Sequence, residues 1–339
     1  MMRTVDLVLA GLGNVGRAFV KLAWEKRSLC RERYGLDLRL KAVFNSKGGY
    51  LADFSAHPEG LADVPIALSS IGWMPGLRLA DAVGNGPPGV LVECTPTDIR
   101  TGEPGLAYMT EALSAGWHVA AASKGGLVAD LPGLLSLARA KGVSLKYSGA
   151  AAAALPTLDV GQASLAGTVV SRIEGILTGV TNHILTRMGA GISFDAALKE
   201  AQALGIAEPD PSLDVDGWDT ACKILLIANS VAGTAFRLSD VARQGIREVR
   251  PDDILAVRRA GRALKLLGRF ERDASGAGGR IEVGVSALGP DHPLYGISGT
   301  NKAIVYVTDT MGTIAVSGGK SDPRGTAASM LKDIINIYR

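Results

Sequence analysis

The feature that most constrains the fold is a glycine-rich turn near the start of the chain. Val5–Ala10 is a short apolar run typical of a buried strand, and the residues G-L-G-N-V-G at 11–16 follow it directly. A helix is predicted from about Asn14 to Lys26. Strand, G-x-G-x-x-G and helix in this order are the fingerprint of a dinucleotide-binding fold, and the alternative is a glycine-rich turn in another kind of α/β domain.

The three glycines of this turn have different tasks in such a fold. The first lets the chain turn tightly, the second lets the backbone approach a pyrophosphate, and the third lets helix and strand pack closely. The free N–H groups and the dipole at the start of the helix attract the pyrophosphate. We therefore expect cofactor contacts at Gly11, Gly13, Asn14, Val15 and Gly16.

The first half of the chain continues as alternating strands and helices. Further strands are predicted at Leu38–Phe44, Val90–Cys94, His118–Ala122 and Ser144–Tyr147. Helices are predicted at Pro104–Ala115 and Leu131–Lys141, whereas Gly48–Gly89 indicates mixed loops and short helices. Because crossovers between parallel strands are right-handed, this order predicts a doubly wound parallel sheet of the Rossmann type.

Polar residues follow three of these strands, at the edge where open α/β sheets bind ligands. They are Ser46 and Lys47, Thr95 and Pro96, and Ser123 and Lys124. An NAD-selective site carries an acid at the end of the second strand, but Asp37 is placed before that strand, while a hydroxyl and a lysine suit a 2′-phosphate. We therefore expect NADP(H), with NAD(H) as the alternative, and assign all of these residues except Lys124 to cofactor binding.

At Ser148 the character of the sequence changes. A small-residue run is followed by a mixture of helices and strands that predicts a second, α+β domain. Its elements include the hairpin Arg262–Glu271 with Arg280–Leu288, and a helix at Phe194–Leu204 capped by Ser193. The amphipathic helix Gly325–Tyr338 is predicted to return to the first domain. We therefore divide the chain into 1–147 with 318–339, and 148–317.

The second domain contains an unusually acidic stretch, Glu208 to Lys223. Five carboxylates occupy twelve residues, at Glu208, Asp210, Asp214, Asp216 and Asp219. Two prolines and a glycine are expected to keep its first half irregular, and its second half enters an apolar helix. Asp219 and Lys223 therefore lie one turn apart on one face. The pattern leaves two interpretations open, a functional site or an acidic loop with a helix cap and an ordinary ion pair.

Composition excludes several classes of function. Thirty-six lysines and arginines against 33 acids give a net charge of only +3, without a basic run, which argues against nucleic-acid binding. The longest apolar stretches are far shorter than the roughly 20 residues of a membrane span. We expect neither a signal peptide nor a metal site, because the chain enters a strand at once and its histidines and cysteines lack ligand spacing. Three scattered cysteines favour a reduced, cytoplasmic protein.

Over most of its length the sequence resembles the homoserine dehydrogenase family. The resemblance rests on the motifs G-L-G-N-V-G at 11–16, S-K-G at 123–125, G-I-L-T-G-V-T-N-H-I-L-T-R-M at 175–188, the whole block at 201–223, and H-P-L at 292–294. It implies the reversible, nicotinamide-dependent reduction of L-aspartate 4-semialdehyde to L-homoserine, in threonine, methionine and isoleucine biosynthesis. It also implies that the second domain binds substrate and forms a homodimer. Because the chain ends at Arg339, we expect a short form without the C-terminal regulatory amino-acid-binding domain of some members.

The family's charged site residues match Lys124, Glu208, Asp214, Asp219 and Lys223. Lys223 and Lys124 are the candidates for moving the proton, and Asp219 would hold the lysine one turn after it. Glu208 and Asp214, together with Lys124 and Asp219, are predicted to bind the substrate.

The sequence also departs from the family pattern. Ser123, Ser148 and Thr178 replace a usual asparagine, glutamate and asparagine, and residues 318–323 replace a Gly-Ala-Gly run. Since that glutamate belongs to a monovalent-cation region in some members, the resemblance leaves cation binding open. Two other functions remain as alternatives, a related dehydrogenase for another amino-acid semialdehyde and a non-catalytic NADP(H)-sensing protein.

Overall fold

The computed structural model describes residues 2–51, 72–83, 87–276 and 278–339, which form two compact units. Unit 1 comprises Met1–Ala153 and Asp322–Arg339, and unit 2 comprises Ala154–Ser321. The predicted first boundary, at Ser148, is earlier than this division. The physical reason is that Ser148 donates through its backbone N–H and its hydroxyl to Asp333, at 2.9 and 2.7 Å, and Asp333 lies in the C-terminal helix of unit 1.

Unit 1 is built on a seven-stranded sheet with the order β4-β3-β2-β1-β5-β6-β7. The strands are β1 (Arg3–Ala10), β2 (Leu36–Asn45), β3 (Gly48–Leu51), β4 (Met74–Pro75), β5 (Val90–Glu93), β6 (His118–Ala121) and β7 (Leu145–Lys146). The five strands from β2 to β7 in that order run parallel, as predicted. Strand β3 pairs antiparallel with β2, and β4 pairs antiparallel with β3. The prediction of a parallel sheet missed these two pairings. Most of the segment predicted as loops and short helices, 52–71 and 84–86, lies outside the described residues.

The helices of unit 1 pack around a core centred on β1. They are α1 (Asn14–Glu25), α2 (Arg27–Tyr34), α3 (Leu79–Val83), α4 (Gly105–Ser114), α5 (Gly125–Ala140), α6 (Ser148–Ala152) and the C-terminal α13 (Pro323–Ile337). Met330 and Ile334 of α13 are buried with Leu7 and Leu9 of β1, so the last helix packs on this unit as expected. Helix α5 starts directly after Lys124 and is interrupted at Asp130, earlier than the predicted start at Leu131.

Unit 2 contains a six-stranded sheet with the order β13-β12-β8-β10-β11-β9. Its strands are β8 (Val170–Ile176), β9 (Ala242–Arg243), β10 (Ala263–Arg272), β11 (Gly279–Leu288), β12 (Ala303–Thr308) and β13 (Thr313–Ser317). Strands β10 and β11 pair antiparallel, which confirms the predicted hairpin.

The helices of unit 2 are α7 (Thr157–Asp159), α8 (Gly179–Gly189), α9 (Phe194–Ala203), α10 (Ser212–Val215), α11 (Trp218–Val231) and α12 (Pro251–Arg259). The hydroxyl of Ser193 accepts a hydrogen bond from the Ala196 N–H at 3.3 Å, so the predicted cap of α9 is confirmed. The short helix α10 lies in the half of the acidic stretch that was expected to be irregular, and that prediction was wrong.

Helix α11 lies directly on strand β10. A Cβ at Gly268 would come within 2.9 Å of the Ile224 Cβ and 3.1 Å of the Thr220 methyl carbon, so only a residue without a side chain lets the helix approach this closely. Thr220 and Ile224 are fully buried on this face, whereas Asp219 and Lys223 keep some exposure. The packing therefore orients the Asp219–Lys223 face away from the sheet. None of the helices in the described ranges is long and apolar enough to cross a membrane.

Candidate functional site

The turn between β1 and α1 has the backbone geometry of a dinucleotide site. Gly11 has a φ of +93°, and a Cβ there would lie 2.5 Å from the Cys94 carbonyl oxygen. A Cβ at Gly16 would lie 2.1 Å from the Gly11 carbonyl oxygen. At Gly13, by contrast, no described heavy atom other than its chain neighbours lies within 4 Å of that position. The protein's own packing therefore requires the first and third glycines, and the second faces open space.

The start of α1 can bind an anion. Gly13 occupies the cap position without a side-chain cap, and the first turn of this fully described helix carries no acidic residue. Its first N–H groups have no acceptor within the helix, and the dipole places positive charge there. Open space at Gly13 in front of these donors fits a pyrophosphate, so the residues present suit a dinucleotide cofactor.

A buried carboxyl group joins two of the predicted ligand-binding loops. Glu93, the last residue of β5, is fully buried and accepts hydrogen bonds from the Thr95 N–H at 2.8 Å, from the Thr95 hydroxyl and from the Ser123 hydroxyl. The Lys124 N–H donates to the Thr97 hydroxyl at 3.2 Å. Since β5 and β6 are parallel neighbours, the structure brings Thr95, Pro96, Ser123 and Lys124 together at one sheet edge.

Glu93 was missed by the sequence analysis. Burial raises the pKa of this carboxyl group, against the opposing effect of its hydrogen bonds to Ser123 and Thr95. The available signal was an acid closing the apolar run V-L-V at 90–92, where a buried strand has no reason to carry a charge. We assign Glu93 the task of holding the two loops in register.

Ser46 and Lys47 form the two-residue turn that joins β2 to β3. Both side chains are exposed, and the Asn45 side-chain oxygen accepts a hydrogen bond from the Lys47 N–H at 2.8 Å. Asp37 is the second residue of β2 rather than a residue before it, which corrects the prediction. Its carboxylate is buried at the opposite end of the strand and bonded to Arg31 and Arg39, at 2.8 and 3.1 Å, so it is not positioned to bind a ribose at the Ser46–Lys47 end.

In unit 2 the ammonium group of Lys223 is held from two sides. Its Nζ lies 2.5 Å from the Asp219 carboxylate, and it donates to the Leu177 carbonyl oxygen at 3.0 Å. Both side chains are only 14% exposed. A half-buried ion pair with a second fixed acceptor is more specific than the solvated pair that helical spacing alone predicts.

The residue after Leu177 binds a second acid of the same stretch. The Thr178 hydroxyl donates to the Asp214 carboxylate at 2.8 Å. Leu177 and Thr178 form the junction between β8 and α8, so this junction brings Asp214 to the same place as Asp219 and Lys223. Thr178, one of the departures from the family pattern, therefore supplies a donor to this acid.

The other acids of the stretch have different surroundings. Asp210 accepts a hydrogen bond from the Ser212 N–H at 3.0 Å, beside the start of α10, and Asp216 forms an ion pair with Arg247. Glu208 is exposed, and Gln202 donates to its backbone oxygen at 3.1 Å. No described contact joins the Glu208 carboxylate to Asp214, Asp219 or Lys223. The acidic stretch is therefore not one uniform substrate clamp, since two of its five carboxylates serve the local fold.

Two of the histidines in the described ranges make polar contacts within their own unit. His118 accepts from the Ser144 N–H at 2.9 Å, and His292 lies 3.1 Å from Glu174, whereas His57 lies outside the described residues. Within the described ranges, no group of three or more His, Cys, Asp or Glu side chains could hold a metal ion. The Arg243 guanidinium lies over the Trp218 ring, with its Cζ 3.8 Å from the ring centre.

Comparison with known proteins gives one family. Residues 156–335 match the family model described as homoserine dehydrogenase. The NAD(+)-dependent homoserine dehydrogenase of Pseudomonas canavaninivorans is 32% identical over 346 residues, covering 100% of this chain and 97% of that protein.

Solved structures agree. The crystal structure of a putative homoserine dehydrogenase from Archaeoglobus fulgidus has a TM-score of 0.86 and 32% identity, covering 98% of this chain and 99% of that chain. A hyperthermophilic archaeal homoserine dehydrogenase mutant in complex with NADPH has a TM-score of 0.82 and 26% identity, covering 98% and 97% of the two chains.

The roles of the second and third glycines of the turn can be separated by a matched pair of variants. Gly13→Ala meets open space, so it should keep the thermal stability of the wild type but raise the Kd for the dinucleotide about tenfold or more. Gly16→Ala places a carbon 2.1 Å from the Gly11 oxygen and should lower stability by about 2 kcal/mol or more. Thermal unfolding and cofactor titration measure both effects. Equal loss of stability in the two variants would contradict this assignment.

The Glu93 carboxyl group should leave a signature in the pH dependence of stability. Its pKa is raised in the folded protein above the ordinary value of 4.5, so the folded state binds the proton more tightly than the unfolded chain does. The protein therefore loses stability as the pH rises from the ordinary pKa toward the pKa of the folded state. Glu93→Gln lacks that loss, and its free energy of unfolding relative to wild type should therefore increase as the pH rises from about 5 upward. Urea denaturation across this range measures the difference, and a difference independent of pH would show that Glu93 does not titrate as described.

Proposed function

The chain belongs to the homoserine dehydrogenase family, and from this premise we propose that it catalyses the reversible, NAD(P)H-dependent interconversion of L-aspartate 4-semialdehyde and L-homoserine. The family acts on CH–OH groups with a nicotinamide cofactor. The observation that carries the proposal is the junction at Leu177 and Thr178, which holds Lys223, Asp219 and Asp214 together. The product would supply threonine, methionine and isoleucine biosynthesis.

The cofactor is proposed to bind at the edge of the unit 1 sheet. The N–H groups of Asn14, Val15 and Gly16 would hold its pyrophosphate, with Gly11 and Gly13 leaving the backbone room for it. Thr95, Pro96 and Ser123 would line the reacting end, in loops that Glu93 keeps in register. When bound, the cofactor supplies the hydride that the carbonyl carbon of the semialdehyde accepts.

We assign the proton to Lys223. Reduction of the aldehyde leaves negative charge on its oxygen, which must receive a proton from a group within hydrogen-bond distance or one water away. Asp219 and the Leu177 carbonyl fix the Nζ of Lys223 at two of its three donor directions, which leaves one hydrogen for the substrate oxygen. In the oxidative direction the same nitrogen, after losing its proton, would accept the hydroxyl proton of homoserine.

The substrate's own charges explain the surrounding acids. An α-ammonium group needs anionic partners, and Asp214 is held in place for it by the Thr178 hydroxyl. Asp219 contributes negative charge beside it, and Glu208 offers an exposed carboxylate whose backbone is anchored by Gln202. Lys124, at the start of α5 in unit 1, remains a second candidate for substrate binding and for proton transfer. The kcat and KM of variants at the two lysines distinguish their roles.

We infer a preference for NADP(H) over NAD(H). The end of β2 carries Ser46 and Lys47 on an exposed turn, and the one acid near the start of this strand, Asp37, is committed to two arginines. A hydroxyl and an ammonium group suit a 2′-phosphate, whereas a ribose hydroxyl is usually held by an acid. The Pseudomonas canavaninivorans relative is NAD(+)-dependent, and the hyperthermophilic archaeal neighbour is in complex with NADPH. The cofactor therefore differs among similar proteins, and the residues of this chain decide its own preference.

Assembly, location and cation dependence also belong to the proposal. We propose a homodimer formed through unit 2, as the family resemblance implies, and a cytoplasmic location, which the few, scattered cysteines Cys30, Cys94 and Cys222 favour. At Ser148 the hydroxyl is bonded to Asp333 and to the Lys332 ammonium at 2.7 and 2.8 Å. That local charge balance favours a reaction without a bound monovalent cation.

The central test is turnover of aspartate semialdehyde with NADPH oxidation as the readout. Lys223→Ala should lower kcat about 100-fold or more if this lysine carries the proton. Lys199→Ala removes an exposed lysine on α9 and should leave kcat unchanged, which controls for the loss of one positive charge. An unchanged kcat with a raised KM in Lys223→Ala would restrict Lys223 to binding and move the proton to Lys124, tested by Lys124→Ala. NADPH binding by the wild type without turnover of any semialdehyde would instead favour a cofactor sensor.

The hydrogen bond between Thr178 and Asp214 can be removed almost without a change in volume. Thr178→Val keeps the branched shape but loses the hydroxyl, so Asp214 should lose its orientation and the KM for aspartate semialdehyde should rise about tenfold. Thr178→Asn restores a donor and should recover most of the affinity. Steady-state kinetics at saturating NADPH measure both variants, and a wild-type KM in Thr178→Val would remove Asp214 from substrate binding.

Lys47→Ala tests the cofactor preference. If the ammonium group of Lys47 binds a 2′-phosphate, its loss should raise the KM for NADPH about tenfold and leave the KM for NADH almost unchanged. Lys26→Ala, at the far end of α1, is the matched control. A wild-type enzyme that strongly prefers NADH would overturn the assignment of Ser46 and Lys47.

A further inference from the structure

Unit 2 contains a cavity that none of the proposed substrate residues lines. We call it the cationic cavity; it has a volume of about 570 Å³ and lies among the end of α8, the end of α12 and the start of β10. Arg258, Arg262 and Lys265 line it, together with the apolar side chains of Leu185, Ile254 and Leu264. None of the described lining residues carries a carboxylate.

Lys265 is the strongest sign that the cavity takes a ligand. Its side chain belongs to β10 and is only 6% exposed, and its Nζ donates to the Ile297 carbonyl oxygen. Among the described residues it forms no ion pair with a carboxylate, and burial alone lowers its pKa. A buried ammonium group without a counter-ion is destabilising, and a bound anion would offset that cost.

The two arginines add charge at the rim. Arg258 donates to the Gly189 carbonyl oxygen, which fixes its guanidinium at the end of α8. Arg262 is exposed, so it can move to meet a ligand without losing a buried partner. Three cations and three aliphatic side chains in one lining make an amphipathic site.

We propose that the cationic cavity binds a small aliphatic carboxylate. The carboxylate group would pair with Lys265 and the arginines, and the hydrocarbon part would lie on Leu185, Ile254 and Leu264. A short acid fits the volume, and the apolar wall favours an organic anion over an inorganic one.

This site is separate from the candidate substrate residues. Helix α8 joins the Thr178 junction at one end to Gly189 and the cationic cavity at the other, a distance of roughly 16 Å for its length. The loop beside the cavity is bonded to the same helix, because the Gly299 N–H donates to the Thr186 hydroxyl at 3.1 Å and the Asn182 amide to the Asn301 oxygen at 3.0 Å. Thr186 lines the cavity, so a ligand bound there would lie beside the same side chain that bonds the loop to the helix.

Binding of butanoate, hexanoate and sulfate to the intact protein tests the proposal by calorimetric titration. Affinity should rise from butanoate to hexanoate, and Lys265→Met and Arg262→Ala should each weaken hexanoate binding about tenfold or more. Arg259→Ala, which changes the next arginine on α12 and does not line the cavity, should bind as the wild type. Lys223→Met should also keep hexanoate binding, because that lysine belongs to the candidate substrate site.

Three outcomes would overturn the proposal. They are wild-type affinity in both Lys265→Met and Arg262→Ala, loss of hexanoate binding in Lys223→Met, and sulfate binding as tightly as hexanoate. Circular dichroism and thermal unfolding check the fold of each variant, and size-exclusion chromatography checks its assembly state. If Lys265→Met does not fold, the exposed Arg262→Ala variant decides the question alone.

Discussion

The contacts of the Lys223 ammonium group with Asp219 and the Leu177 carbonyl are the interaction on which the candidate substrate site depends. Two half-buried charges are stable only if hydrogen bonds replace the water that they lose on burial. Here one partner of the Lys223 ammonium comes from the same helix and the other from the end of a strand. The close approach of α11 to β10 at Gly268 sets the distance between the helix and the sheet, and the end of β8 supplies the carbonyl. Asp214 then joins the arrangement through Thr178, the next residue of the chain.

Unit 1 uses the same physical device with the opposite charge. A buried carboxyl group at the end of β5 organises the two loops that carry Thr95 and Ser123. Burial disfavours the ionised form of Glu93, and the three donors around it oppose that effect. In unit 1 the charged group stands at a strand end and fixes two loops, whereas in unit 2 the charged group stands on a helix and is bonded to the carbonyl that follows a strand. Lys265 departs from this pattern because its described surroundings contain a carbonyl oxygen but no counter-charge.

Elements with local causes were predictable. The glycine turn, the pairing of the β10–β11 hairpin, the Ser193 cap and the spacing of Asp219 and Lys223 each depend on residues near one another in the chain. Errors arose where the partner of a strand or side chain decides its role, whether that partner is near in the chain or distant. The β3 strand forms because β2 offers it an edge, and Asp37 is occupied because two arginines reach it. Glu208 and Asp214 look equivalent in the sequence, yet a donor 36 residues away selects Asp214.

The sequence by itself determined the architecture and the family, because hydrophobic periodicity, glycine positions and the motif order are written in short segments. It also determined that an acid and a lysine share one face of α11, since helical spacing is a local property. Only the tertiary structure decided which carboxylates make local contacts of the fold and which belong to the candidate site. The physical reason is that a carboxylate's task is set by the donors around it, and two of these donors, Thr178 for Asp214 and Ser123 for Glu93, lie 36 and 30 residues away in the chain.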